Sequence, residues 1–360
     1  MKKDFLAMLR DPATGQSLLC QPGPDTADGE VIDGALVTAS GGAYPIDRGV
    51  PDFVVLDDLS PEQRLTVDSF SWKWAKARNY RSATADHYQN WYLQRFGFKN
   101  SSTLSAFLGN KRRILDVGTG HGRDAKMYVE NSGAVVVGMD ISAGIHNAFA
   151  DLGGHPRLHF VRADMMRPPF GPRSFDFVAC DQALHHAPDT RGALRSLVGL
   201  LCDGGHLAFY VYRQKGPIRE FTDDYLRATT TTMSAEECME TSRAITLLGK
   251  ALAELNVTVN VPEDIPLLGI RAGAQDIRRF VYWNVMKCYW NPHLDFDSNV
   301  ITNFDWYHPV HAHRHTVAEV RSWCNEEGLR VEHLDEQESG ISVLAQKLDT
   351  SSSGQGDGRT

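Results

Sequence analysis

The residues best suited to do chemistry form an ordered series of glycines and carboxylates. Arg113 to Ala125 reads Arg-Ile-Leu-Asp-Val-Gly-Thr-Gly-His-Gly-Arg-Asp-Ala. Ile114, Leu115 and Val117 make a short apolar run suited to a buried parallel strand, and Gly118, Gly120 and Gly122 follow at once. Glycine accepts positive φ and leaves no Cβ between the backbone and a bound molecule, so this turn predicts a nucleotide-type ligand. Gly122 is equally well explained by close helix packing. Two further apolar runs, Ala134 to Met139 and Leu158 to Val161, lead to Asp140 and to Arg162-Ala163-Asp164-Met165.

The spacing narrows the ligand. A dinucleotide fingerprint reads G-x-G-x-x-G and faces a pyrophosphate with a helix N-terminus. Here the pattern is G-x-G-x-G with Asp116 inside the strand end, and a carboxylate there suits an ammonium group better than a phosphate. Asp140 stands where an acidic residue accepts the hydroxyls of a ribose. Asp164 supplies an acceptor for an adenine amino group. Ammonium, ribose and adenine together spell S-adenosylmethionine rather than NAD.

Five segments in order, Leu-Asp-Val-Gly-Thr-Gly-His-Gly, Val-Val-Gly-Met-Asp-Ile-Ser, Arg-Ala-Asp-Met, Ser-Phe-Asp-Phe-Val and Asp-Gln-Ala-Leu-His-His, resemble the class I S-adenosylmethionine-dependent methyltransferases. The resemblance covers roughly residues 111–213 plus the C-terminal strands. It implies an α/β fold, a Rossmann-like seven-stranded sheet with a helical lid insertion and a small N-terminal β module. It also implies that Gly118 and Gly120 pass under the methionine and ribose, and that Asp140, followed by Ile141, binds the ribose. By the same resemblance Asp164 binds the adenine amino group, Met165 covers the adenine face, and Asp181 lies beside the reactive end, with Asp116 completing the cofactor set.

Around these residues the chain divides into five stretches. Residues 1–56 alternate turn formers with apolar residues, as a small β unit does. This stretch resembles the zinc-ribbon domain of the tRNA-methyltransferase activator family, whose closing motif is similar to Tyr44-Pro45-Ile46. Asp11, Thr14, Val37 and Ser40 stand where that pattern puts metal thiolates, so no zinc is expected. Residues 57–110 are helical and aromatic, with a start at Ser60-Pro61 and the cluster Ser69-Phe70-Ser71-Trp72-Lys73-Trp74. That cluster either flanks the sulfonium of the cofactor, where an aromatic face favours a cation, or packs between helices. Residues 111–214 and 316–348 form the cofactor-binding core, with Ala193 to Leu201 as a helix, Asp203-Gly204-Gly205 as its turn and His206 to Tyr212 as the fifth strand. A last helix is expected over Val317 to Gly328, with closing strands over Leu329 to His333 and Ile341 to Gln346. Residues 215–315 interrupt the core above the strands' carboxyl ends and read as a substrate lid. Residues 349–360, rich in Ser and Gly, are expected to be disordered.

The net charge of -8 argues against a broad nucleic-acid surface, which needs a basic footprint. No apolar run approaches the ~20 residues of a membrane span and no leader is read, so a cytoplasmic enzyme without a membrane or nucleic-acid partner is expected. The six cysteines contain no C-x-x-C pair and read as reduced thiols.

Methyl transfer needs alignment above all, and a base only if the acceptor must lose a proton. His185 and His186, after the fourth strand, are placed for that task, although a histidine there also serves to hold a loop. Asp305 and Tyr307, in Asn303-Phe304-Asp305-Trp306-Tyr307, are the lid's candidates. After the fourth strand Asp181-Gln182-Ala183-Leu184 replaces the Asn/Asp-Pro-Pro-Tyr motif of methylases acting on planar amide or exocyclic nitrogens. A small-molecule acceptor follows, such as a saccharide, a natural-product intermediate or an amino-acid derivative. Two alternatives stay open: attack on the aminocarboxypropyl arm with release of methylthioadenosine, and a non-catalytic binding module.

Overall fold

A computed structural model describes residues 1–23, 26–27, 30–76 and 85–349. Residues 77–84 of the stretch expected to be helical and aromatic, and the tail beyond residue 349, lie outside the described residues. The molecule is built on a twisted sheet of seven strands: β1 (Arg113–Val117), β2 (Val135–Asp140), β3 (Leu158–Arg162), β4 (Phe175–Cys180), β5 (Leu201–Arg213), β6 (Leu329–Glu336) and β7 (Gly340–Lys347). Their order across the sheet is β6-β7-β5-β4-β1-β2-β3, and a short pairing of Arg314–His315 with β5 adds to it. β1 to β5 run parallel, whereas β7 is antiparallel to both of its neighbours. This is a Rossmann-like α/β architecture.

The apolar runs form strands because both faces of the sheet are covered. Ile114, Leu115, Val136, Val137, Val161, Phe177 and Val178 are all fully buried. Helices α4 (Arg123–Glu130), α5 (Ile145–Leu152), α6 (Thr190–Leu200) and α11 (Val317–Glu326) supply the covering layers. The register pairs Val117 with Met139 and Asp140 with Arg162, so the loops after β1, β2 and β3 leave the sheet at one edge. That edge is where an open parallel sheet presents a ligand site.

One expectation needs correction. Asp203-Gly204-Gly205, read as a turn, lies within β5. The strand pairs Leu201 with Phe175 and then, across an irregularity, His206 with Phe177. Gly204 takes φ +72° there, so the turn signal marks a bulge that lets the chain loop out and resume pairing.

Before β1 come α1 (Pro61–Lys76), α2 (Ala85–Arg95) and α3 (Ser101–Leu108). Ser60 caps α1 as its sequence suggests: its Oγ accepts from the Gln63 N–H at 3.2 Å, and Gln63 Oε1 accepts from the Ser60 N–H at 3.1 Å. The lid region folds into α7 (Pro217–Thr230), α8 (Ala235–Glu254), a hairpin of Thr258–Val261 with Gly273–Asp276, α9 (Ile277–Asn284) and α10 (Phe296–Tyr307). Among the described residues no helix is long and apolar enough to cross a membrane.

The N-terminal residues form a separate four-stranded antiparallel sheet. At the positions without thiolates, the Asp11 carboxylate accepts from the hydroxyls of Thr14 at 2.6 Å and Tyr44 at 2.7 Å. The module closes onto the free edge of β3. The Phe53 N–H donates to the Arg162 carbonyl at 2.8 Å, and the Arg162 guanidinium returns to Asp52 at 2.8 Å. Phe5 stacks on His159 with ring centres 4.7 Å apart. An exposed strand edge is a site for unwanted pairing, and here the chain covers it with its own beginning.

Candidate active site

A continuous cavity of about 790 Å³ runs from the carboxyl edge of the sheet to residues of the expected lid. At the sheet end it is lined by Gly118, Asp140, Ile141, Asp164, Met165 and Asp181, six of the residues expected to hold a cofactor. At the lid end the wall includes Tyr212, Tyr282, Trp283, Asp305 and Trp306, with Lys215, Arg219 and Lys287 among them.

In the glycine loop Gly118 lines the cavity, whereas Gly120, expected to hold the cofactor with it, does not, because Trp74 covers it. Gly118 and Gly120 take φ of +72° and +54°, which other residues adopt only with strain. A Cβ on Gly118 would lie 2.2 Å from the Ala183 Cβ, and one on Gly120 would lie 2.7 Å from the Trp74 ring. Trp74 therefore lies directly over the loop. Its neighbour Trp72 goes to the lid instead, packing on Phe304 with ring centres 5.3 Å apart and donating to Glu236 at 2.8 Å. Between them Lys73 reaches Asp305 at 2.7 Å. In the aromatic cluster of α1, then, Trp74 covers the glycine loop and Trp72 packs between helices.

Asp140 Oδ2 accepts from the Gly120 N–H at 2.8 Å, while Oδ1 accepts from the N–H and hydroxyl of Ser142 at 2.8 and 2.6 Å. These bonds orient the carboxylate and leave lone-pair capacity on Oδ2. Burial raises its pKa against the opposing effect of those donors. Asp164 Oδ1 accepts from the Met166 N–H at 2.9 Å and Oδ2 meets Gln63 Nε2 at 3.5 Å, the longest contact of this set. Gln63 was missed by sequence reasoning; as the third helical residue after the Ser60 cap it had a structural explanation already.

Asp116 departs from its expected place. It is 2% exposed, does not line the cavity, and accepts from the Thr119 hydroxyl at 2.6 Å. Because β1 buries alternate side chains on both faces, its carboxylate supports the loop that carries Thr119 into the wall. Asp124, in the first turn of α4, lines the cavity in its stead, paired with Arg123 at 2.9 Å.

Asp181 reaches the cavity but is already engaged. Arg95 donates to both of its carboxylate oxygens, at 2.8 and 2.7 Å, and the guanidinium lies 3.7 Å from the Trp91 ring centre. Arg95 is fully buried at the end of α2. Nothing local in Leu93-Gln94-Arg95-Phe96 announces this pair, which joins residues 86 apart in the chain.

The adjacent histidines separate. His185 is fully buried and off the cavity, its ring 3.7 Å from that of Tyr212. His186 is in the wall, and its Nδ1 lies 2.6 Å from the His311 carbonyl. A carbonyl only accepts, so Nδ1 carries the proton and Nε2 keeps the lone pair of a neutral ring. Burial brings its pKa down to about 3, so the ring is neutral near physiological pH.

The lid candidates separate likewise. Asp305 lines the cavity. Tyr307 does not: it is fully buried, and its hydroxyl donates to the Lys287 carbonyl at 2.7 Å. Helical periodicity puts residues two apart on different faces, which is why Asp305 and Tyr307 cannot share one wall. Lys287 itself was missed. A single lysine in the apolar run Val285-Met286-Lys287-Cys288 was the available signal.

Residues 115–209 match the model of a family described as a methyltransferase domain. A sterol 24-C-methyltransferase of Gibberella zeae is 30% identical over 174 residues, covering 43% of this chain and 45% of its own. A phthiotriol/phenolphthiotriol dimycocerosates methyltransferase of Mycobacterium leprae is 31% identical over 128 residues, covering 35% and 47%. The chain spans less than half the length of these relatives. A solved S-adenosylmethionine-dependent methyltransferase from Mesorhizobium loti is 17% identical, covers 69% of this chain and 99% of its own, and superposes with a TM-score of 0.40. The matched segment runs from β1 into β5, so it contains the glycine loop, Asp140, Asp164, Asp181 and His186. S-adenosylmethionine is the cofactor that such a domain implies.

Proposed function

We propose that the chain is an S-adenosylmethionine-dependent methyltransferase acting on a small-molecule acceptor held under the lid. One observation carries the reading: the loops after β1, β2 and β3 bring Gly118, Asp140 and Asp164 to one end of a cavity whose other end is lined by lid residues. The residues fit the cofactor, since Gly118 brings backbone without a Cβ into the cavity wall and Asp140 retains acceptor capacity. When bound, S-adenosylmethionine supplies an activated methyl group. Asp140 accepts the ribose hydroxyls, Asp164 accepts from the adenine amino group, and Ile141 and Met165 wall the ring. Asp181, locked by Arg95, fixes the loop that leads to His186. His186 Nε2 is the lone pair in the wall for an acceptor that has a proton to lose, a weak base while burial holds its pKa down to about 3 and a stronger one if an anionic acceptor stabilises the imidazolium. The lid excludes water and aligns the acceptor, which is where most of the acceleration lies. The N-terminal module seals the β3 edge and delivers α1, whose Gln63, Lys73 and Trp74 complete the cavity roof.

The test is incubation of the purified protein with S-adenosylmethionine, alone and with candidate acceptors, with both cofactor products read by mass spectrometry. S-adenosylhomocysteine is the expected product. Methylthioadenosine would instead mean attack on the aminocarboxypropyl arm, and failure to bind the cofactor by calorimetry would leave only a binding module. With a turned-over acceptor, His186→Asn should lower kcat by about 10²-fold or more and leave cofactor affinity unchanged. An unchanged kcat would remove His186 from the reaction.

A further inference from the structure

Charges on the lid side of the cavity do not balance. Most cations there have a carboxylate: Arg219 pairs with Asp223, Lys73 with Asp305 at 2.7 Å, Arg279 with Glu338 at 2.8 Å, and Arg278 with Asp276 at 3.6 Å. Two ammonium groups on the same wall form no ion pair among the described residues. Lys215 Nζ donates to the carbonyls of Arg213 and Ser339 at 2.6 and 3.1 Å; burial and the charges of Arg219 and Arg213 hold its pKa well down, with the Glu220 carboxylate opposing them. Lys287 is 7% exposed, and among the described residues its Nζ has neither a hydrogen-bond nor an ion-pair partner; it rests 5.1 Å from the Trp306 ring centre.

The position of Lys287 is set by its backbone. Its N–H donates to Asp223 at 3.2 Å, and its carbonyl accepts from Tyr307 at 2.7 Å. The ionisable groups acting on its ammonium are Arg219 and Asp223 from α7, Asp305 from α10 and Lys73 from α1, and Lys215 is coupled to it as well. Arg219 and Lys73 are spoken for by Asp223 and Asp305. A buried ammonium without a counter-charge is costly, and an anion delivered to the cavity would remove that cost. Burial and the charge of Arg219 hold Lys287 down to about 7, so an arriving anion would also draw a proton onto it.

Resting on the methyltransferase reading of this site, we propose that the acceptor carries an oxyanion, a carboxylate or a phosphate, which Lys287 binds directly with Lys215 behind it. The remaining wall is aromatic, with Tyr212, Tyr282, Trp283 and Trp306. The acceptor class is therefore an acidic small molecule with a flat or extended apolar body. The oxyanion fixes its orientation, and the aromatic wall carries the rest.

The test uses the full chain saturated with S-adenosylhomocysteine and titrated calorimetrically with aryl and alkenyl carboxylates, each matched to its primary amide, and with aryl phosphates, each matched to its alcohol. Titrations are run near pH 7 in two buffers of different ionisation enthalpy. At least one acid should bind about tenfold or more tightly than its neutral match, with proton uptake on binding. Whether the carboxylate or the phosphate series shows the preference identifies the oxyanion. Lys287→Met should abolish the preference while S-adenosylhomocysteine still binds, and Lys287→Arg should retain it. A preference that survives in Lys287→Met, or the absence of any acid preference in the parent protein, overturns the proposal. Failure of the parent protein to bind S-adenosylhomocysteine overturns the underlying methyltransferase reading instead.

Discussion

Two carboxylates with similar burial illustrate what a residue's surroundings decide. Asp140 is held by N–H and hydroxyl donors and faces the cavity, so its free acceptor capacity is directed into that space. Removing it in Asp140→Ala should weaken S-adenosylmethionine binding by about 2 kcal/mol, roughly 30-fold in Kd by calorimetry. Unchanged affinity would end its assignment to the ribose. Asp181 is held by a buried guanidinium, so its role is structural as much as chemical. Arg95→Leu leaves that carboxylate without its partner and should cost about 3–5 kcal/mol of stability in urea melts. The double variant Arg95→Leu with Asp181→Leu should recover much of the loss, because an apolar pair of similar volume leaves no uncompensated charge. Asp140 was legible in the sequence because a strand end points it at the ligand edge. Arg95 was not, since its partner is chosen by the packing of α2 on the sheet.

At the scale of elements, the segment bearing Lys287 has no regular structure of its own and is tied down by α10. Asn303 Oδ1 accepts from the Tyr289 N–H at 2.8 Å, while its Nδ2 donates to Thr246 at 2.8 Å and to the Tyr289 carbonyl at 3.1 Å. Asn299 does the same for Asn291, accepting at 2.6 Å and donating at 3.1 Å. Both asparagines are fully buried, so each replaces water for a stretch of otherwise unsatisfied backbone. Asn303→Leu should destabilise the lid by about 2–3 kcal/mol. Hydrogen exchange should then rise in 285–295 and α10 well before it rises in the sheet; a uniform rise would mean that the lid and core unfold together. The segment Asn303 to Tyr307, expected to line the acceptor site, divides by helical face: Asp305 and Trp306 reach the cavity, whereas Asn303, Phe304 and Tyr307 hold the element in place.

The whole molecule contains an unusual store of neutral histidines. Burial holds His186 down to about 3 and both His159 and His315 down to about 4, and it lowers His311 and His313 in the same direction. The unfolded chain binds these protons below pH 6.5 and the folded chain does not, so stability is present above pH 6.5 and is lost as pH falls toward about 4. Asp116, Asp140 and Asp164 act with the opposite sign, since burial raises their pKa values and the folded state protonates them first. The histidines outnumber them, and the urea midpoint should fall between pH 6.5 and 4. A rising midpoint over that range would show that the carboxylates dominate.

What the sequence determined by itself is the ligand edge of the sheet: the strands, the glycine loop, and the places of Asp140, Asp164 and His186 on the cavity. These follow from local rules, because a buried parallel strand must be apolar, a loop against a ligand must be glycine, and the residues just past each strand must emerge at one edge. Only the tertiary structure decided that Asp116 supports rather than lines the site, that His185 and Tyr307 turn away, and that Asp181 is bound to Arg95. It alone also gathered Lys73, Asp305, Lys215 and Lys287 around the lid end of the cavity. Those outcomes depend on which side chains meet across elements far apart in the chain, and a counter-charge, unlike a glycine turn, leaves no mark in the residues beside it.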